Sequence, residues 1–174
     1  MKYSFKNDYA EGAHPRILEA LVQSNFTQQN GYGLDDYCKN AENLIQEIIN
    51  NPKAKVHFVS GGTQANLIVM SAFLRPHESV VSAETGHIFT NESGAIEATG
   101  HKVHGVETVD GKLRPLDIQK VIDVHQNIPH QVKQKLVYIS NYTEVGTIYS
   151  KKELQDLHQF CQEKNLFLFM DGAR

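Results

Sequence analysis

The chain has 174 residues, 40% of them hydrophobic and 21% charged, a composition typical of one ordinary globular domain. Its formal net charge is −3 at pH 7 and its basic residues are scattered, which excludes the concentrated positive surface of proteins that bind nucleic acids or anionic membranes. Cys38 and Cys161 stand far apart, and no apolar run approaches the roughly 18 residues of a membrane span, so we expect a cytoplasmic protein with two buried, reduced thiols.

Two helices are predicted in the N-terminal third of the chain. Pro15 is well placed to open the first, because apolar residues follow it on one helical face. These residues are Ile17, Leu18, Leu21 and Val22. Asp35 can cap the second helix, in which apolar residues recur at helical spacing from Cys38 to Ile49. Asn50-Asn51-Pro52 then predicts its end.

Beyond these helices, short apolar runs alternate with helical patterns. We expect strands at residues 56–59, 79–83, 103–106, 135–140 and 166–170. Helices are expected at residues 67–74, 91–98, 116–125 and 151–164. This alternation predicts an α/β fold, a mostly parallel sheet with helices on both faces.

A glycine-rich turn, Ser60-Gly61-Gly62-Thr63, lies between a predicted strand and a predicted helix. Without side chains at Gly61 and Gly62, a phosphate could approach backbone N–H groups, and the helix dipole would favour its negative charge. Thr63 could add a hydroxyl donor. Taken alone, a glycine pair after a strand is equally compatible with a tight turn.

Asp171 and Arg174 follow the last apolar run. A carboxylate at the end of a buried strand must find a positive partner or several donors, so Asp171 is a candidate ligand-binding residue. Arg174 offers a planar fork suited to a carboxylate or a phenolate oxygen. The alternatives are that Asp171 caps a following helix or pairs with Arg174 alone, and that Arg174 is a solvated charge.

Three segments together resemble the threonine aldolase and β-eliminating lyase family of pyridoxal-phosphate enzymes: Gly62-Thr63-Gln64-Ala65-Asn66, His87 and Asp171-Gly172-Ala173-Arg174. The resemblance spans the whole chain and implies an aspartate-aminotransferase-like fold (fold type I). Residues 1–174 would form an N-terminal arm and most of the large, cofactor-binding domain. The small C-terminal domain and the lysine that bonds the cofactor would lie further along, so we expect residues 1–174 alone to be inactive.

The resemblance implies a cofactor-binding set made of Gly61, Gly62, Thr63, His87, Asn141, Asp171 and Arg174. Of these, His87, Asp171 and Arg174 would be catalytic. Asp171 would hold a proton on the pyridine nitrogen, and His87 would lie against the face of the ring and move protons near the substrate. Asn141 would bond the ring oxygen, with an Asx turn as the equally weighted alternative.

The resemblance also implies a substrate-binding set made of Asn7, Tyr32, Glu144 and Arg174. Asn7 and Tyr32 match family segments close to the substrate, the tyrosine near the subunit interface. Glu144 stands where many threonine aldolases carry a histidine. The base that removes the proton of the β-hydroxyl group is therefore left open.

The function implied is cleavage of L-threonine or a related β-hydroxy amino acid to glycine and an aldehyde, with pyridoxal 5'-phosphate as cofactor. The whole enzyme would be a homodimer or homotetramer. Another pyridoxal-phosphate-dependent β-eliminating lyase or an aminotransferase remains open, because the same residues serve those reactions. A noncatalytic fragment also remains open, since no lysine here sits in the setting expected for the one that bonds the cofactor.

His101 and His104 are the histidines that most suggest a metal site. Residues three apart on a strand point to opposite faces, and no carboxylate stands at a recognised zinc-ligand spacing. We therefore expect no bound metal.

Overall fold

The chain folds as two units, which divide in sequence between Phe58 and Val59. The computed structural model describes residues 4, 7 and 10–172. Across these residues, no helix is both long enough and apolar enough to cross a membrane.

The first unit contains the two predicted helices. Helix α1, Pro15–Ser24, begins at the predicted proline. Helix α2, Asp36–Ile48, is capped as predicted by Asp35, whose Oδ1 accepts the backbone N–H of Cys38 at 2.8 Å. Cys38 itself is only partly buried, so the prediction of two buried thiols is confirmed for Cys161 and wrong for Cys38.

The second unit is built on a parallel sheet. Its strands are β1 (Glu78–Ala83), β2 (Lys102–Val106), β3 (Lys133–Ser140) and β4 (Phe167–Asp171). They lie in the order β2-β1-β3-β4, and every neighbouring pair is parallel. The mostly parallel sheet predicted from the alternating pattern is confirmed.

The strand predicted at residues 56–59 is wrong. The segment has no strand assignment, and Phe58 and Val59 are 53% and 42% exposed. An apolar run becomes a strand only where a neighbouring strand accepts and donates its backbone hydrogen bonds. No described strand pairs with this segment.

Five helices accompany the sheet: α3 (Gly62–Phe73), α4 (His87–Thr90), α5 (Ala95–Ala98), α6 (Pro115–Val124) and α7 (Lys151–Glu163). The continuous helix predicted at residues 91–98 is wrong. A 3-10 turn at Glu92–Gly94 separates α4 from α5, and the backbone is left-handed there, with φ of 64° at Glu92, 53° at Ser93 and 76° at Gly94. A regular helix cannot continue through such residues.

Apolar side chains alternate between the two faces of the sheet, and each face has its own core. On one face, Val80 and Leu136 pack with Met70 of α3 and with Ile96 of α5. On the other, a second cluster includes Val81 and Val137 of the sheet, Ile118 of α6, and Leu157 and Cys161 of α7. Helices therefore cover both faces, as predicted.

Tyr149, in the segment between β3 and α7, secures the second core. Its buried hydroxyl accepts the backbone N–H of Leu113 at 2.7 Å. We expect Tyr149→Phe to lower the free energy of unfolding by about 1–3 kcal/mol, because it leaves that buried N–H without an acceptor. Urea unfolding of the whole protein without ligand measures this. The exposed Tyr37→Phe is the matched control, and equal midpoints for the two variants would contradict the prediction.

Candidate functional site

A cavity of about 660 Å³ opens at the carboxyl ends of the strands, within the second unit. Parallel strands all finish at the same edge of a sheet, so residues that end or follow them converge there. His87 follows β1, Ser140 ends β3 and Asp171 ends β4, and all three line the cavity. Gly62, Glu92 and Glu144 also line it. The cavity has the size of a small-molecule binding site.

The first turn of α3 borders the cavity through Gly62. No side chain caps this helix, and an added Cβ at Gly61 or Gly62 would meet no atom within 4 Å. The first N–H groups of an uncapped helix have no partner in the helix, and together with its dipole they favour an anion. Thr63, the second residue of α3, is exposed and is not among the described residues that line the cavity.

The carboxylate of Asp171 is held at the end of β4. Tyr138 Oη donates to Asp171 Oδ2 at 2.8 Å, and the Asn141 N–H donates to the Asp171 backbone oxygen at 2.9 Å. Burial, reinforced by the nearby Asp171 charge, raises the pKa of Tyr138 well above its usual value. Tyr138 therefore remains a protonated donor at neutral pH. Asp171 is a half-buried acid of fixed orientation facing the cavity.

His87 is the first residue of α4, and its ring is hydrogen-bonded to Glu92. The His87 Nδ1 atom lies 2.8 Å from Glu92 Oε1, and the amide NH₂ of Asn66, on α3, donates to the same oxygen at 2.6 Å. The Glu92 side chain is 1% exposed, whereas that of His87 is 46% exposed. His87 thus presents a flat ring to the cavity, supported by a buried carboxylate.

Glu144 and Asn141 lie in the segment that follows β3. Ser140 Oγ donates to Glu144 Oε1 at 2.6 Å, which fixes a second carboxylate at the cavity. Asn141 is not among the described cavity-lining residues, and its side-chain oxygen accepts the Tyr149 N–H at 3.2 Å. Because that oxygen is used within the loop, any bond from Asn141 to a ligand oxygen would come from its NH₂ group.

Three further predicted site residues lie outside the described part of the second unit. Asn7 and Tyr32 belong to the first unit, where Tyr32 is exposed. Arg174 lies outside the described residues. Their roles remain predictions.

Sequence reasoning missed Glu92 and Tyr138. Glu92 was hidden inside a predicted continuous helix, although the run Asn91-Glu92-Ser93-Gly94 carries the turn residues that indicate a break. By its sequence context, Tyr138 is an ordinary strand residue. Its position two residues before Ser140 places it on the same face of β3, which was the available signal.

Known proteins match this chain along nearly its whole length. The sequence model of the beta-eliminating lyase family matches residues 8–174. The low specificity L-threonine aldolase of Pseudomonas aeruginosa is 33% identical over 172 residues, which cover 98% of this chain and 49% of that protein. The chain therefore spans about half the length of such relatives.

Solved structures of related proteins also match this chain. A threonine aldolase of Leishmania major is 53% identical, with a TM-score of 0.96, over 99% of this chain and 50% of that one. The ureidoglycine-glyoxylate aminotransferase of Bacillus subtilis is 20% identical, with a TM-score of 0.62, over 90% of this chain and 38% of that one. The second match concerns the fold alone, and it confirms the predicted aminotransferase-like architecture.

Proposed function

This chain belongs to the beta-eliminating lyase family, and on that premise we propose that the whole protein is a pyridoxal-phosphate-dependent lyase. Its proposed reaction is the cleavage of L-threonine or related β-hydroxy amino acids to glycine and an aldehyde. The observation that carries the proposal is that Gly62, His87 and Asp171, from three separate elements, line one cavity. The relatives named threonine aldolase support the choice of reaction.

The residues of the cavity fit pyridoxal phosphate. The uncapped first turn of α3 suits its anionic phosphate, and the acid of Asp171 suits a protonated ring nitrogen. The exposed ring of His87 offers a flat surface for stacking. When bound, pyridoxal phosphate supplies an electron sink for the negative charge that develops at the substrate's α-carbon.

Each of the residues in and around the cavity then has a proposed role. The N–H groups of Gly62 and Thr63 would bind the phosphate, which open space at Gly61 would let approach. Asp171 would hold the proton on the pyridine nitrogen, while Tyr138 keeps the carboxylate oriented. His87 would lie against the ring and transfer protons near the substrate.

We propose that Asn7, Tyr32, Glu144 and Arg174 bind the substrate. Glu144 is supported by its position in the cavity, where Ser140 fixes one of its oxygens. Arg174 would hold the substrate carboxylate or the ring oxygen. The whole protein would assemble as a homodimer or homotetramer. Gel filtration with light scattering tests that assembly.

The proposed reaction is tested by incubating the whole protein with pyridoxal phosphate and L-threonine. We expect acetaldehyde and glycine in equal amounts, and loss of the product when the cofactor is omitted. Absorbance of the bound cofactor is followed separately, so binding and cleavage are judged independently. Cofactor binding without acetaldehyde above background would overturn the aldolase assignment. Pyruvate from L-serine, or amino transfer to a keto acid, would then identify one of the alternative reactions.

A further inference from the structure

Glu92 borders the cavity, but its side chain is a buried acid. Its side chain is 1% exposed, and its Oε2 atom is buried without a hydrogen-bond partner among the described residues. Burying a carboxylate in this way is unfavourable unless other contacts compensate. The contacts at Oε1, to Asn66 and His87, are the compensation that the structure provides.

The geometry around Oε1 determines which nitrogen of His87 carries a proton. The NH₂ group of Asn66 can only donate, so Oε1 acts as an acceptor at 2.6 Å. An ionised carboxylate has no proton to donate, so the proton in the 2.8 Å contact between Glu92 Oε1 and His87 Nδ1 is carried by Nδ1. In the neutral imidazole, Nε2 is then the unprotonated nitrogen.

The backbone places Glu92 for this contact at a cost. Glu92 and Ser93 are consecutive non-glycine residues in the left-handed region, with φ of 64° and 53°. Such conformations persist where the surrounding structure requires them, and they are concentrated at functional sites. Here they end α4 and return the chain so that the carboxylate lies behind the His87 ring.

We propose that Glu92 is a positioning residue, which, together with Asn66, fixes the ring plane of His87 and its Nδ1–H tautomer. Nε2 is thereby kept as the nitrogen that accepts a proton. The inference rests on the proposed function for the use of that nitrogen, but the tautomer is a property of the protein alone. Because Asn66 belongs to the second turn of α3, the same bonds connect this helix, at whose first turn we place the phosphate, to the histidine.

The tautomer is measured by nuclear magnetic resonance of the whole protein with ¹⁵N-labelled histidine, the His87 signals being assigned with His87→Asn. We expect the Nδ1–H pattern in the wild type and in Glu92→Gln, which retains a carbonyl acceptor. In Glu92→Ala we expect a mixture of tautomers. Glu97→Ala removes an exposed carboxylate from the neighbouring α5 and is the matched control. An Nε2–H pattern in the wild type, or an unchanged Nδ1–H pattern in Glu92→Ala, would overturn the proposal.

Steady-state kinetics provide a second test of the role of Glu92. We expect Glu92→Ala to lower kcat about 10- to 100-fold with little change in KM, the size of effect seen when the partner of a metal-bound histidine is removed. Glu92→Gln should restore most of the loss. If Glu92→Ala does not fold, Asn66→Ala, which leaves both other residues in place, is expected to give a smaller change in the same direction. A wild type that shows the Nδ1–H pattern but cleaves no threonine would reject the proposed reaction and leave the positioning of His87 intact.

Discussion

Replacing Asp171 with asparagine is expected to lower the turnover of L-threonine by the whole protein by roughly a thousandfold or more, without loss of the fold. A neutral amide cannot hold a proton on the pyridine nitrogen, so the oriented charge that stabilises the reacting state is lost. The fold survives because Tyr138, which donates to Asp171 Oδ2 at 2.8 Å, can donate equally to an amide oxygen.

The measurements for Asp171→Asn are kcat with L-threonine and the absorbance of bound cofactor. Asp123→Asn is the matched control, because Asp123 is an exposed carboxylate on α6 that bonds the Gln119 side chain. We expect the control to behave as the wild type. Near wild-type turnover in Asp171→Asn would refute the role assigned to this residue, whereas loss of circular dichroism would show that the change is structural.

His104 is expected to make the stability of the whole protein depend on pH between about 6.5 and 4. The residue lies on β2, is 7% exposed and has its Nε2 atom 3.1 Å from Ser79 Oγ. Burial lowers its pKa to about 4 from the ordinary value of 6.5, and the charges of His125 and Lys102 contribute in the same direction. The Nε2 atom of Gln134 lies 3.3 Å from the Nε2 atom of His104.

The direction of the effect follows from the lowered pKa. Between pH 6.5 and 4 the unfolded chain binds a proton at His104 that the folded chain does not, so falling pH favours unfolding. Above pH 6.5, His104 leaves the free energy of unfolding at its full value. As pH falls to 4, the free energy of unfolding declines by up to roughly 3 kcal/mol. Carboxylates with lowered pKa, such as Asp110 and Glu153 at about 2, lose their contributions mainly at lower pH.

Urea unfolding without ligand, at a series of pH values, measures this dependence. We expect His104→Gln to be less stable than the wild type at pH 7 but to have a shallower pH dependence between pH 6.5 and 4. Comparing slopes removes the pH-independent cost of the substitution. The exposed His158→Gln should retain the wild-type slope. Equal slopes in all three proteins would show that His104 does not titrate differently in the folded chain.

Local sequence patterns predicted the capped helix α2 and the positions of the four described strands. Asp35 caps α2, as its side-chain chemistry indicates, and the strands β1 to β4 lie where apolar runs alternate with helical patterns. The grouping of Gly62, His87 and Asp171 was implied by the family resemblance, and His87 and Asp171 meet because β1 and β4 finish at the same edge of the sheet. The helix cap and the strand positions were predicted from local patterns alone.

The errors arose where distant partners or local backbone chemistry decide the outcome. Residues 56–59 have the composition of a strand, but strand formation depends on a neighbour that composition does not reveal. Helical periodicity continued through Glu92 while the Asn, Ser and Gly residues around it favoured a turn, and the turn prevailed. The role of Glu92 depends on that turn, so a wrong helix also concealed a site residue.

The left-handed backbone at Glu92 creates a trade-off that selection must resolve. Left-handed backbone costs other residues on the order of 1–3 kcal/mol. Glycine would adopt this conformation without that steric penalty and would relieve the backbone strain of the folded state. Glycine would also leave the histidine ring without its buried companion. Stability and the positioning of His87 therefore compete at residue 92, and a screen for thermal stability alone would favour the less active glycine variant.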